Sequence, residues 1–134
     1  MASLHFTICL RFLATHDVAT IFAYNAAFDY RHLPELSHLS WHDIMKLAAY
    51  RQRNPKILSC AECYGTGRLK RGYGVESVDN PMLSGDYGYC EMHNALTDAI
   101  DELEIMRLMS LELDRYASTR IGWTRGTQTG VCKF

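Results

Sequence analysis

Two carboxylates and a histidine stand in a spacing that has a chemical use. Asp29 closes the segment Tyr24-Asn-Ala-Ala-Phe-Asp29, directly after an apolar run that reads as a buried strand. His93 and Asp98 open a long helical pattern in His93-Asn-Ala-Leu-Thr-Asp98. In open α/β sheets, ligands gather at the carboxyl ends of strands. A carboxylate there, with another in the first turn of a neighbouring helix, can share a hard divalent cation, which takes oxygen ligands. A histidine just before that helix can accept a proton from the water such an ion holds. The plainer alternative makes Asp98 and Asp29 first-turn carboxylates that complement helix dipoles.

A second group of residues points to phosphate. Arg51, Arg53, Lys56, Arg68, Lys70 and Arg71 place six of the 14 basic residues within 21 positions, with Tyr64 and Tyr73 among or just beyond them. Such a loop can track a phosphate backbone while a tyrosine stacks on a base, or it can simply be a solvated loop. Cys60-Ala-Glu-Cys63-Tyr-Gly65-Thr-Gly67 fits one CxxCxGxG repeat of chaperone zinc modules. One repeat supplies two thiolates where structural zinc takes four ligands, so ordinary reduced thiols are expected and zinc is not. Cys90 and His93 are the candidates that would complete such a set. His5, His16, His32, His38 and His42 show no metal-ligand spacing, and Asp43 beside His42 is expected to make local hydrogen bonds.

These groups need elements to position them. Ser3 can cap a helix running to about Thr15, with Leu4, Ile8 and Phe12 on one stripe and Leu10 and Leu13 beside it. Val18 to Tyr24 is nearly continuously apolar, as in a parallel strand covered on both faces. A short helix follows from Asn25 and stops near Pro34. A second strand at about Leu39–Ile44 leads into a helix at Met45–Arg53 that ends before Asn54-Pro55. Residues 54–74 read as a Gly-rich basic loop, and Val75–Leu83 as at most a short helix broken at Pro81. Asn94 can cap a helix running to about Tyr116, with Leu96, Ile100, Leu103, Met106 and Leu113 on one face. Ala117–Phe134 reads as an extended tail anchored by Trp123. Alternation of strand and helix implies an α/β crossover.

The whole chain sets the bounds. It has 134 residues, 48% of them hydrophobic and 22% charged, with a net charge of -1, which excludes a disordered chain and a generic polyanion binder. No apolar run approaches the roughly 18 residues that span a bilayer. Five cysteines and no secretory signal pattern point to a reduced, cytoplasmic protein without a disulfide framework.

From about Leu4 to Met109 the chain resembles the later two-thirds of a DEDD-type 3′–5′ exonuclease domain of the histidine subclass, which has a ribonuclease-H-like fold. His93-x-Ala95-x-x-Asp98-Ala99 is similar to the family's third motif, and Tyr24-Asn25-Ala26-x-Phe28-Asp29 to its second. Trp41-x-Asp43-Ile-Met45-x-Leu47-Ala48 is similar to the intervening strand-to-helix segment. The resemblance implies two-metal phosphodiester hydrolysis, with Mg or Mn, at the 3′ end of a single-stranded nucleic acid. It makes Asp98 a direct metal ligand, Asp29 a ligand through water, and His93 the general base. Asn25 and Phe28, within the second motif, are then expected to contact nucleic acid, and the basic loop, read from its own residues, is expected to add Arg68, Lys70 and Arg71.

The family's first motif is an Asp-x-Glu on a strand upstream of the helix with which this chain begins, and the sequence contains no Asp-x-Glu. The expected fold is therefore a partial ribonuclease-H-like α/β domain at 1–116, with a reduced, mostly parallel sheet flanked by helices, followed by a tail at 117–134. The chain alone is expected to be inactive or very weak, or to serve as a catalytically dead module that binds nucleic acid or protein. The strand at Val18–Tyr24 would then have one edge without a neighbour. A homodimer pairing there, the tail folding back, or a partner chain would cover it.

Overall fold

A computed structural model describes residues 4–78, 94–109 and 112–122. It is a mixed α/β arrangement in which a small parallel sheet is flanked by helices. Helix α1 is Leu4–Thr15, strand β1 Thr20–Ala23, helix α2 Ala26–His32, strand β2 Ser40–Asp43 and helix α3 Met45–Ala48. A 3₁₀ turn at Pro34–Leu36 separates α2 from β2, and α4 (Val75–Val78), α5 (Ala95–Met109) and a second 3₁₀ helix, Leu113–Thr119, complete the described elements. None of the described helices is long and apolar enough to cross a membrane.

Helix α1 stops in a defined way. Asp17 takes a left-handed φ of 50°, which lets Val18 N–H reach Leu13 C=O at 3.0 Å and Asp17 N–H reach Ala14 C=O at 3.2 Å. That closing motif satisfies the last helical carbonyls and consumes Val18, so β1 is shorter than the apolar run from Val18. The other end of β1 is closed by Asn25, whose left-handed φ of 59° turns the chain into α2.

The two strands pair in parallel, with Thr20, Ile21, Phe22 and Ala23 opposite Ser40, Trp41, His42 and Asp43. Both faces are covered, as the apolar reading of β1 requires. On one face Ala23 and Trp41 pack with Ala26 and Leu36, and with Leu10 and Leu13 from α1. On the other, Phe22 lies against a core of Tyr24, Ile44, Leu47, Ala48, Val78, Ile105, Met106 and Tyr116. The outer edge of β2 is met by the chain after the second 3₁₀ helix, where Arg120 bridges His42 and Ile121 N–H donates to Trp41 C=O at 2.8 Å. Residues 117–119 are thus 3₁₀ and the chain beyond them reaches the sheet, instead of leaving as an extended tail; Trp123 lies outside the described residues.

The outer edge of β1 is different. Ser40 and Ile44 donate to the carbonyls of Ala19 and Ala23, so by strand alternation Thr20 and Phe22 turn their N–H and C=O groups to the other side. Among the described residues no strand pairs there.

Two helix stripes also depart from expectation. Leu96, Ile100 and Leu103 on α5 are more than half exposed, as are Ile8 and Phe12 on α1. Helix α5 buries Asp101 and Ile105, and from the expected face only Met106.

Candidate functional site

Asp29 and Asp98 come together. A cavity of about 370 Å³ beside β1 is lined by Ile21, Ala23, Trp41, Asp29 from α2, and Asp98 and Glu102 from α5. The local reasons are visible. Asn94 caps α5 with its Oδ1, accepting Thr97 N–H at 3.0 Å, which sets the helix start and places Asp98 in the first turn. Glu102 follows one turn later on the same face. Asn25 turns the chain after β1 so that Asp29 falls in the first turn of α2.

The cavity is acidic. Asp98 Oδ1 is buried without a hydrogen-bond partner among the described residues. Glu102 is pushed up to about 7 by burial; the Tyr24 backbone N–H pulls it down, and the charges of Asp29, Asp98 and Asp43 push it up again. Glu102 is not among the candidate residues that the sequence singles out. Its spacing of one turn from Asp98 was the available signal.

The oxygen donors suit a hard cation in type. Yet among the described residues no three His, Cys, Asp or Glu side chains stand close enough to hold a metal ion. His93 and Cys90 lie outside the described residues.

Asp43 has a structural task. It is buried, and its Oδ1 accepts the N–H groups of Asn25 and Met45, each at 3.0 Å. Burial raises its pKa, and the Met45, Ala26 and Asn25 amides and Lys46 oppose that rise. One carboxylate thus ties the turn after β1 to the start of α3. His42 bonds Tyr116 C=O through Nδ1 at 2.7 Å and stacks on Phe22. Asn25 holds its turn through its backbone, and Phe28 is exposed with its ring 4.3 Å from that of His32.

The basic segment is a hairpin. Cys63 bridges Leu69 and Tyr50 bridges Arg68, while Tyr64 N–H donates to Arg68 C=O at 2.8 Å. Gly67 sits at φ +88°, a backbone conformation strained for any side chain, so the hairpin favours glycine there; a Cβ would also displace the end of the Gln52 side chain. Arg68 lies over both Tyr64 and Tyr73 at 4.9 Å, and Lys70 over Tyr64 at 5.9 Å. The tyrosine faces expected to stack on bases thus already carry cations. Lys70 and Arg71 are exposed at the same end. Cys60 and Cys63 are free thiols.

The Glu102 environment predicts a pH dependence. A carboxyl with a raised folded pKa binds its proton more tightly folded than unfolded, so stability falls as pH rises from about 4.5 through about 7. Glu102→Gln should remove that fall and stabilise the protein at pH 8 by about 1 kcal/mol, a figure discounted for the part-exposed carboxyl. Urea unfolding of both proteins at pH 5 and pH 8 measures it.

No protein-family model, curated protein or solved structure matches the chain.

Proposed function

We propose that the chain is the later part of a 3′–5′ exonuclease domain of the DEDD histidine subclass, with a ribonuclease-H-like fold, whose site is completed by carboxylates on an added strand. One observation carries this reading: Asp29 and Asp98, remote in sequence, line one cavity beside the unpaired edge of β1. An Asp-x-Glu strand pairing on that edge would bring the missing oxygen donors to the cavity. The strand would come from preceding sequence or from a partner chain that carries the motif.

In this reading Asp98 and Asp29 are the chain's contribution to holding Mg or Mn, and His93 is the proton acceptor. The substrate is a single-stranded 3′ end. The bare chain should show background 3′-end trimming in Mg or Mn, and fusion of the family's Asp-x-Glu strands should restore it. Robust trimming by the bare chain would refute the requirement for added carboxylates; failure of the fused protein would refute the exonuclease reading.

A second reading, a catalytically silent binding module, is favoured by the exposed Leu96, Ile100, Leu103, Ile8 and Phe12, which form apolar surface of the kind partners cover.

Both readings use the hairpin for phosphate. With the Tyr64 and Tyr73 faces occupied, Arg68, Lys70 and Arg71 should contribute chiefly by charge. Affinity for a single strand should fall with salt at a log–log slope of about 0.7 per phosphate contact. The triple alanine variant at these positions should flatten the slope by about two units, measured by fluorescence anisotropy from 50 to 200 mM salt. An unchanged slope would assign the hairpin to solvent.

A further inference from the structure

A second cavity, of about 260 Å³, shares no residue with the acidic one. Lys46, Tyr50, Gln52, Arg53, Thr66 and Ser118 line it, and no carboxylate does. Its walls come from three places in the chain that are pinned together. Gln52 Nε2 donates to Thr66 C=O at 2.8 Å, holding the hairpin, and Arg53 Nη2 donates to Ser118 Oγ at 3.1 Å, holding the second 3₁₀ helix.

Arg53 is the informative residue. It is part-buried, and among the described residues its guanidinium bonds the Ser118 hydroxyl and pairs with no carboxylate. A part-buried guanidinium without a carboxylate partner has donors to spare, and its planar fork matches phosphate oxygens. Lys46 adds a second cation that has no hydrogen bond or ion pair among the described residues. On the other side of Arg53 a smaller cavity of about 120 Å³ adds Lys56 and Arg115, again with no carboxylate in its lining. In a chain of net charge -1, two adjoining cavities with four cations and no acid are a local concentration of positive potential.

We infer that the cleft between Lys46 and Arg53 is a phosphate-binding site. Arg53 engages two phosphate oxygens, Lys46 supplies a compact charge, and the hydroxyls of Tyr50 and Ser118 are the neutral donors within reach of the same cavity. The phosphate is either the free ion or a group carried on a nucleic-acid strand. The inference is independent of the exonuclease reading, because it uses none of the residues that carry that reading.

The test is a ¹H–¹⁵N NMR titration of the full chain with inorganic phosphate, and separately with a short 5′-phosphorylated single-stranded oligonucleotide, against sodium chloride of matched ionic strength. Saturable shifts at the amides of Arg53, Thr66 and Ser118 are expected with phosphate and not with chloride. Lys46→Ala should weaken binding about fivefold and Arg53→Gln about tenfold or more. Equal affinity for both ligands identifies the free ion, and tighter binding of the oligonucleotide identifies the strand. Should Arg53→Gln disturb the fold through loss of the Ser118 bond, exposed Lys46→Ala decides alone. Linear shifts that chloride reproduces, or affinity unchanged in Lys46→Ala, would overturn the site.

Discussion

Asp98→Ala, made in a chain joined to an Asp-x-Glu strand, is expected to slow 3′-end trimming on the order of 10³-fold, the cost of removing a charge-stabilising group at a phosphoryl centre. The same substitution should leave stability unchanged or slightly increased. The reason is the environment of Asp98 Oδ1, a buried oxygen without a partner among the described residues. Such an atom is held at a cost to folding, and deleting it relieves that cost. Asp29→Ala should likewise abolish turnover, and His93→Ala should lower the rate with less effect on strand binding. Initial rates on a 3′-labelled strand, paired with urea midpoints of the same preparations, separate the two effects. Loss of activity in proportion to loss of stability would make Asp98 a structural carboxylate.

Asp43→Ala should do the opposite, costing about 3 kcal/mol of stability by a mechanism unrelated to catalysis. Asp43 is 2% exposed and accepts the N–H groups of Asn25 and Met45 on one oxygen. Alanine leaves those donors buried and unmet, and it opens a gap beneath the turn after β1. Asp43→Asn retains a carbonyl oxygen at that point and should cost about 1 kcal/mol. The comparison is made from denaturant midpoints at constant m. Equal losses in the two variants would show that the negative charge, rather than the acceptor, holds the turn.

The sequence was most informative where a local rule and the tertiary environment agree. Asn94 was legible as a cap because its amide can reach the N–H three residues on whatever the rest of the chain does. The first strand was legible because β1 is covered on both faces, so apolarity and pairing coincide there. Asp29 and Asp98 meet in one cavity, as their motif spacing suggested, although spacing gave no distance between them. Helix α5 was misread because it carries apolar residues on two sides. Periodicity favoured Leu96, Ile100, Leu103 and Met106; of these only Met106 is buried, whereas packing turned Ile105 inward and took Asp98 and Glu102 with it to the edge of β1. The hairpin from Cys60 to Leu69 was illegible for another reason. Its order comes from the buried side chain of Asn54, which donates to Ala48 C=O and accepts Lys56 N–H, and from Leu69 N–H bonding Ala49 C=O. Such links between turns leave no periodic trace.

Tyr24 joins the acidic cavity to the basic hairpin by two attachments of different character. Its hydroxyl donates to Tyr73 C=O at 2.5 Å, and its backbone N–H faces the Glu102 carboxyl. Burial, with the charges of Asp43 and Glu102, raises the phenol's pKa, so the hydroxyl remains a donor at every pH the protein meets. The attachment at Glu102 gains and loses charge near neutrality. One residue therefore ties the chain just after the hairpin to the end of β1 by its hydroxyl, while its backbone N–H meets a carboxyl that titrates. The two attachments thus differ in kind, one a fixed donor to Tyr73 and the other a contact with a carboxyl whose charge depends on pH.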